Sequence, residues 1–240
     1  MNNFKYVRGP VKSRRLNLSL GIDLFPKNIC SEDCIYCECG KTERLTAVRD
    51  EYTDTEEVIT ELQSRIKDNP ECDYVTFSGR GEPTLHSSLG RIIDFISEEF
   101  PDYDIAVLTN STLLHRAEVR EELANADLLV PSLDAGSSKT FNKICRPAPG
   151  IEFENIVEGL KKATKSFAGK VFLEILLLSG LNDSEEEINN ISDILYDLHY
   201  DRIDLNTLDR PPAEKYARKM KEKSLEEIAQ KLPGRVKIFN

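Results

Sequence analysis

Short apolar runs alternate with amphipathic stretches along most of this sequence, and this alternation restricts the fold more than any other feature. Six brief runs rich in aliphatic residues predict strands at 19–25, 74–77, 105–108, 128–130, 171–178 and 203–205. Apolar residues three and four positions apart predict helices at about 58–66, 89–96, 156–167 and 188–198. A helix at about 224–232 and a β-like tail at 236–239 follow. Repeated βα units predict an α/β fold, a parallel sheet with outer helices.

Three of the predicted helices begin with a capping box, a hydroxyl residue followed three positions later by glutamate. The pairs are Thr53 with Glu56, Ser184 with Glu187 and Ser224 with Glu227. We expect the hydroxyl and the carboxylate of each pair to bind free backbone N–H groups at the start of the helix.

The length of 240 residues fits one folded domain. With 40% hydrophobic and 31% charged residues, the composition is that of a globular protein and not of a disordered or collagen-like one. We expect a single domain over residues 1–240, with a basic N-terminal segment at 1–18 and a short C-terminal extension at 211–240. No apolar run reaches the roughly 18–20 residues of a membrane span and the start lacks a signal-peptide core, so we expect a cytoplasmic protein without a membrane partner.

Charge is distributed unevenly along the chain. The formal net charge of −10 argues against a protein that coats nucleic acid through overall positive charge. The first 22 residues nevertheless contain no acid and five bases, Lys5, Arg8, Lys12, Arg14 and Arg15. A second basic run extends over 210–223. Scattered surface charge is the default interpretation of both runs, so binding of RNA or another anionic ligand is an alternative that we do not favour.

Polar or glycine-rich segments follow all six predicted strands. A β/α barrel and a doubly wound sheet both fit the alternation, and both place functional residues at the carboxyl ends of the strands. The segments after the second to sixth strands are Ser78 to Pro83, Thr109 to Ser111, Ser132 to Asp134, Ser179 to Asp183 and Asn206 to Arg210. After the first strand comes a group of cysteines, which points to the same end of the fold.

Four of the six cysteines, Cys30, Cys34, Cys37 and Cys39, fall within ten residues. Where thiols are kept reduced, such a group indicates ligands or nucleophiles more than disulfides. Three thiolates spaced CxxxCxxC suit zinc, copper or an iron–sulfur centre. Structural zinc usually takes a second ligand pair further along the chain, and a thioredoxin-type site uses only Cys34 and Cys37 in a smaller domain. We favour an iron–sulfur cluster held by three cysteines, with a zinc-stabilised binding module and a thiol oxidoreductase as alternatives.

The CxxxCxxC loop with Tyr36 before its last cysteine, followed by a Gly79-Arg80-Gly81-Glu82-Pro83 turn, resembles the radical SAM (S-adenosylmethionine) superfamily. Runs at 9–15, 19–23, 37–42, 77–84, 108–112 and 206–214 are similar to the branch related to wybutosine-synthesis enzymes. The resemblance covers about residues 6–214. It implies a partial (β/α)6 barrel and an enzyme with a [4Fe-4S] cluster on Cys30, Cys34 and Cys37.

The resemblance also implies the chemistry and its partners. The cluster would cleave S-adenosylmethionine reductively to a 5′-deoxyadenosyl radical, which abstracts hydrogen from the substrate. The substrate stays open among a peptide or protein residue, a modified nucleotide and a small molecule. The implied electron source is a flavodoxin- or ferredoxin-like one-electron reductant.

A set of cofactor-binding residues is implied in the same way. They are Tyr36, Gly79, Gly81, Glu82, Pro83, Asn110, Ser132 and Asp134. The glycine turn would hold the amino group of SAM, with glycine needed for a close approach of the chain. Asn110, Ser132 and Asp134 match positions that contact the methionyl carboxylate and the ribose, and local loop capping is their alternative role. For Asn182 and Asp183 the two interpretations are a position near the adenine and an ordinary turn.

Several residues limit the assignment of a substrate. The wybutosine enzyme carries a second cluster on cysteines upstream of the motif, and this chain has none before Cys30. Modification of a tRNA base is therefore only an alternative. Cys39 is expected to be a bystander, Cys72 and Cys145 small buried or loop residues, and Arg80 either a contact for a substrate anion or an outward-pointing side chain. No catalytic residue is identified.

Overall fold

A computed structural model describes residues 5–68 and 70–240 and contains one large, curled sheet. Its eight strands lie in the order β1-β2-β5-β6-β7-β8-β9-β10. Their bounds are β1 Val7–Ser13, β2 Asn17–Ile22, β5 Tyr74–Phe77, β6 Ile105–Thr109, β7 Leu128–Pro131, β8 Lys170–Leu176, β9 Arg202–Asn206 and β10 Val236–Phe239. A separate pair is formed by β3 (Ile29–Cys30) and β4 (Arg44–Leu45). β1 is antiparallel to β2 and the other strand pairs are parallel.

All six predicted strands are present, and the partial barrel with outer helices is confirmed. The helices are α1 Thr55–Lys67, α2 Leu89–Glu99, α3 Ala117–Glu122, α4 Ser138–Ile144, α5 Phe153–Ser166, α6 Glu185–Leu195 and α7 Glu222–Ala229. α3 and α4 were not predicted because six or seven residues carry too little periodicity. Among the described residues, no helix is both long and apolar enough to cross a bilayer.

The capping boxes were predicted with mixed success. α1 is capped by Asp54, whose carboxylate accepts from the Glu56 and Glu57 amides, so Thr53 was the wrong residue. α7 starts at Glu222, which places Ser224 inside the helix. Ser184 does cap α6 by accepting from the Glu187 amide.

The reciprocal half of the α6 capping box is absent from the described contacts. The Glu187 carboxylate accepts instead from the Gly136 amide and the Ser137 hydroxyl. Glu187 therefore joins α6 to the segment before α4 rather than closing its own helix.

The sheet separates two apolar regions, as the alternation of side chains along a strand requires. On β6, Ile105 and Val107 pack into the large core, while Ala106 belongs to a smaller cluster on the other face. Leu16, from the turn between β1 and β2, fills that smaller cluster with Leu128 and Val130. Because this turn lies beside the amino ends of the parallel strands, Leu16 closes one end of the half-barrel. The carboxyl ends form the opposite, open rim.

Candidate functional site

The three motif cysteines lie on one loop that begins at β3. Cys30 is the last residue of β3. The thiols of Cys30, Cys34 and Cys37 are half-buried and form no disulfides. The Asp33 amide donates to the Cys145 carbonyl at 3.0 Å, and the Ile35 amide donates to the Ile144 carbonyl at 2.9 Å. The cluster loop, which we define as residues 30–39, is therefore held by the carboxyl end of α4.

The thiols of the cluster loop differ in their pKa. Burial raises the pKa of Cys30 far above its usual range. The hydrogen bond with Cys145, together with burial, raises the pKa of Cys34. The hydrogen bond from Cys39 lowers the pKa of Cys37. In the metal-free protein Cys37 is thus the motif cysteine most readily present as a thiolate.

Glu82 is a buried carboxylate in the turn after β5. Its Oε1 accepts from the Thr84 amide at 3.1 Å and from the Thr84 and Thr109 hydroxyls at 2.7 and 2.6 Å. Its Oε2 accepts from the backbone amide of Asn110 at 2.7 Å. Burial nevertheless raises its pKa. Glu82 therefore joins the ends of β5 and β6, and the next residue, Pro83, opens a buried 3₁₀ turn, Pro83–Leu85.

The fold itself requires the glycines of this turn. Gly79 and Gly81 have φ values of 134° and 106°, which residues other than glycine rarely adopt. A Cβ on Gly81 would lie 2.1 Å from the Ile29 carbonyl oxygen, and one on Gly79 would lie 2.9 Å from the Asp23 side chain. The close approach that excludes a side chain is thus between parts of the protein itself. It seats the turn against the start of the cluster loop.

Asp134 lies beyond β7 and faces the cluster loop. Its Oδ2 accepts from the Tyr36 hydroxyl, and its Oδ1 accepts from the Leu176 amide at 2.6 Å. Burial raises the pKa of Asp134 to about 7. Burial, followed by the charge of Asp134, raises the pKa of Tyr36. This carboxylate therefore changes charge close to neutral pH.

Asn110 connects the rim to the first motif cysteine. Its amide nitrogen Nδ2 donates to the Ser31 hydroxyl at 2.8 Å and lies 3.6 Å from the Cys30 sulfur. Its Oδ1 accepts from the Thr112 hydroxyl at 2.8 Å. A small cavity brings together residues from the rim and from the cluster loop, namely Glu32, Asn110, Ser132, Asp134 and Cys145. The Ser132 hydroxyl makes no hydrogen bond within the described part of the chain.

The geometry of the cysteine loop and the rim agrees with a comparison of the sequence against known protein families. The family model of the radical SAM superfamily matches residues 24–190, which include the cluster loop, the glycine turn and Asp134. The chain belongs to the radical SAM superfamily.

Its curated relatives include UPF0026 proteins. It is 36% identical over 87% of its length to one from Methanocaldococcus jannaschii, of which it covers 65%. It is 35% identical over 87% of its length to one from Synechocystis, of which it covers 77%. A protein named GTPase Obg from Brachyspira hyodysenteriae is 39% identical over 92% of the chain, which spans only 32% of that relative.

Solved structures show the same fold at low sequence identity. A radical SAM methyltransferase from Sphaerobacter thermophilus superposes with a TM-score of 0.67 at 16% identity, covering 92% of this chain and 66% of that one. TYW1 with a lysine-pyruvate adduct gives a TM-score of 0.66 at 18% identity, covering 90% of this chain and 74% of that one. The expected link to wybutosine-synthesis enzymes therefore holds for the fold, and UPF0026 proteins are the closer relatives.

Radical SAM proteins are enzymes that use a [4Fe-4S] cluster and S-adenosylmethionine, and the residues at the rim fit both. Three free thiols on one loop are the donor set that an iron–sulfur cluster takes. Beside the cluster loop, Asn110 next to Cys30 and Asp134 next to Tyr36 supply hydrogen-bonding groups suited to a polar cofactor.

The side chains of Arg80 and Asn182 form hydrogen bonds within the protein. Arg80 does not point freely outward: it donates to the buried carboxylate of Asp23 at 2.9 Å and to the Pro26 carbonyl at 3.1 Å. Asn182 is buried and bonds to the Leu178 amide and to the Asp134 and Leu176 carbonyls, so its side chain is used by the protein.

Sequence reasoning missed two residues of the site. Cys145 is buried as expected, but it lies beside Cys34 and Tyr36. Glu32, inside the motif itself, is buried beside Cys34. The position of Glu32 between two motif cysteines was a signal that could have found it.

Proposed function

We propose that this chain cleaves S-adenosylmethionine with a cluster held by Cys30, Cys34 and Cys37 and abstracts hydrogen from a peptide or protein residue, a modified nucleotide or a small molecule. When bound and reduced, the cluster would supply one electron to the sulfonium, giving methionine and a 5′-deoxyadenosyl radical. The observation that carries the proposal is the position of three free cysteines on one loop, with Asn110 Nδ2 3.6 Å from the Cys30 sulfur and Asp134 bonded to Tyr36 of the same loop.

The protein's own residues would orient the cofactor. Glu82 fixes the turn of Gly79, Gly81 and Pro83, so that the backbone of this turn can receive the amino group of SAM. The Ser132 hydroxyl, unpaired among the described residues, is available to the methionyl carboxylate, whereas Asn110 would reach it by exchanging the bond that its Nδ2 donates to Ser31. Rigid placement of such groups lowers the entropic cost of reaching a reactive geometry.

Asp134 and Tyr36 would serve the ribose side. An ionised Asp134 can accept hydrogen bonds from ribose hydroxyls, while the Tyr36 hydroxyl holds the carboxylate toward the cluster loop. The Leu176 amide fixes the other carboxylate oxygen. The carboxylate is thus oriented by the cluster loop and by the end of β8 before the cofactor binds.

The partners and location remain part of this proposal. We propose a flavodoxin- or ferredoxin-like reductant and a cytoplasmic location. Of the basic N-terminal residues, Lys5 pairs with Glu57, Arg8 with Asp23, Arg14 with Asp209 and Arg15 with Glu174. This internal pairing favours structural roles for the basic segment over RNA binding, so tRNA-base modification stays the second choice.

The test is anaerobic reconstitution with iron and sulfide, followed by reduction, addition of SAM and an assay for 5′-deoxyadenosine. We expect about four irons per chain and product from wild type, and neither from Cys34→Ala. Cys72→Ala, which removes a half-buried cysteine outside the motif, is the matched control and should behave as wild type. A cluster that never engages SAM would overturn the proposal.

The RNA alternative has its own measurement. A protein that binds tRNA through Lys and Arg loses affinity steeply as salt rises. We expect no such slope in a tRNA-binding titration of the reconstituted protein, and a steep slope would restore tRNA as the substrate class.

A further inference from the structure

The buried side of the cluster loop contains a second set of metal-binding atoms. A carboxylate oxygen of Glu32 and the sulfurs of Cys34 and Cys145 all lie within 4.8 Å of one another. Glu32 and Cys145 are only 4% and 3% exposed. Only Cys34 is one of the three motif cysteines, so this set differs from the three cysteines assigned to the cluster.

Glu32 indicates that the set is suited to a cation. Its carboxylate forms no ion pair with any Lys or Arg among the described residues, and its side-chain hydrogen bond comes from the Cys34 thiol at 3.1 Å. A buried carboxylate without a basic partner is costly unless a proton or a metal ion compensates its charge. Two neighbouring thiols make a soft metal ion the matching ligand.

We propose that Glu32, Cys34 and Cys145 bind one zinc-class divalent ion in the protein that lacks its iron–sulfur cluster. Two sulfurs and one carboxylate oxygen are common zinc ligands, and a water molecule would complete a tetrahedral site. Tetrahedral zinc with Zn–S bonds of about 2.3 Å places its sulfurs about 3.8 Å apart, so side-chain rotation alone would close the set.

The backbone already holds the two segments in register. The amides of Asp33 and Ile35 donate to the carbonyls of Cys145 and Ile144, and Glu32 forms a β-bridge with Pro147. The sites of Glu32, Cys34 and Cys145 are thereby fixed relative to one another before any ion arrives. Preorganisation of this kind is what distinguishes a metal site from three donors that happen to meet.

The proposal rests on the proposed function in one respect, because Cys34 is shared. Zinc on this set would occupy a thiolate that the iron–sulfur cluster needs, so the two metal states exclude each other. Zinc bound first would therefore block assembly of the cluster. Removal of Cys145 should relieve the block while leaving all three motif cysteines in place.

The first experiment titrates the anaerobic, cluster-free protein with Co²⁺, which reports thiolate ligation through its charge-transfer and tetrahedral ligand-field bands. We expect one equivalent to bind in wild type and in Cys30→Ala and Cys37→Ala. Cys145→Ala and Glu32→Gln should weaken binding by at least about 10-fold, since even indirect ligand contacts are worth that much. Cys39→Ser is the matched control, because it alters a thiol of the same loop outside the proposed set.

The second experiment measures iron–sulfur reconstitution, by iron content and visible absorption, with and without one equivalent of Zn²⁺. Zinc should block wild type and spare Cys145→Ala and Cys145→Ser, two variants that guard against a loss of packing at this buried position. Circular dichroism melts of the metal-free variants show whether each is folded.

The outcomes separate the two proposals. Absent cobalt bands in wild type, or bands that survive Cys145→Ala, overturn the zinc site. Bands that vanish in Cys30→Ala and Cys37→Ala also overturn it, because the ion would then occupy the motif cysteines. Iron–sulfur assembly that survives Cys30→Ala or Cys37→Ala overturns the cluster assignment instead, whatever the cobalt titration gives.

Discussion

Two buried carboxylates at the rim, Glu82 and Asp134, have different surroundings. Glu82 is 2% exposed and accepts hydrogen bonds from two backbone amides and two hydroxyls. Asp134 is 9% exposed and accepts one bond on each oxygen, from the Tyr36 hydroxyl and the Leu176 amide. Only Asp134 lines the cavity beside the cluster loop.

The different surroundings of Glu82 and Asp134 show that carboxylates at the same end of the sheet can serve either the fold or a ligand. A carboxylate whose acceptor positions are filled by the protein stabilises the fold and has little left for a ligand. A carboxylate with two of its roughly four acceptor positions free, next to a cavity, can exchange hydrogen bonds with a bound molecule. Glu82 therefore braces the turn, and Asp134 is available to the cofactor.

Substitution of Glu82 should give the largest effect on stability. Glu82→Gln replaces an acceptor with an N–H₂ group that faces N–H and O–H donors, so buried donors lose their partner. We expect a loss of about 3 kcal/mol in the free energy of unfolding, measured by urea denaturation of the metal-free protein. Glu98→Gln on the exposed face of α2 is the matched control. A loss below about 1 kcal/mol would remove the contrast with Asp134.

Substitution of Asp134 should affect the cofactor more than the fold. Asp134→Asn removes a charged acceptor, and hydrogen bonds to charged groups contribute about 1.5–3 kcal/mol. We expect the Kd for SAM, measured by equilibrium binding to the reconstituted protein, to rise about 10- to 100-fold. Asp193→Asn, at an exposed position of α6, is the control. Unchanged affinity together with a large loss of stability would make Asp134 a brace like Glu82.

The titration of Asp134 should appear in the stability of the metal-free protein. Its pKa is about 7 when folded, against an ordinary 3.8, so between these pH values the folded state binds more protons than the unfolded state. Stability should therefore fall as pH rises from about 4 to about 7, by up to about 1.4 kcal/mol per pH unit from this group. The comparison of urea unfolding between wild type and Asp134→Asn isolates it, because other groups titrate in both. Parallel pH profiles would contradict the raised pKa.

Much of this arrangement could be predicted from the sequence, and the rest depends on contacts between distant segments. The strand Tyr74–Phe77 was predicted with its observed bounds, and strand alternation placed Glu82 and Asp134 at one edge. β1 was missed because its residues 7–13 lack the alternation that marks a half-buried strand. Cys145 lies 109 residues from Tyr36, and no local pattern reports such a contact.

The smallest expected effect comes from the hydroxyl of Tyr36. Its hydrogen bond lowers the pKa of Asp134 against the larger effect of burial, so Tyr36→Phe should move the pH step of stability upward. The accompanying loss of stability should be about 1 kcal/mol, the net value of one hydrogen bond. Tyr52→Phe is the control, since its hydroxyl donates to the Val48 carbonyl and not to a carboxylate. If the pH at which stability changes is the same in Tyr36→Phe as in wild type, Tyr36 does not set the pKa of Asp134. Burial beside the cavity would then control that pKa.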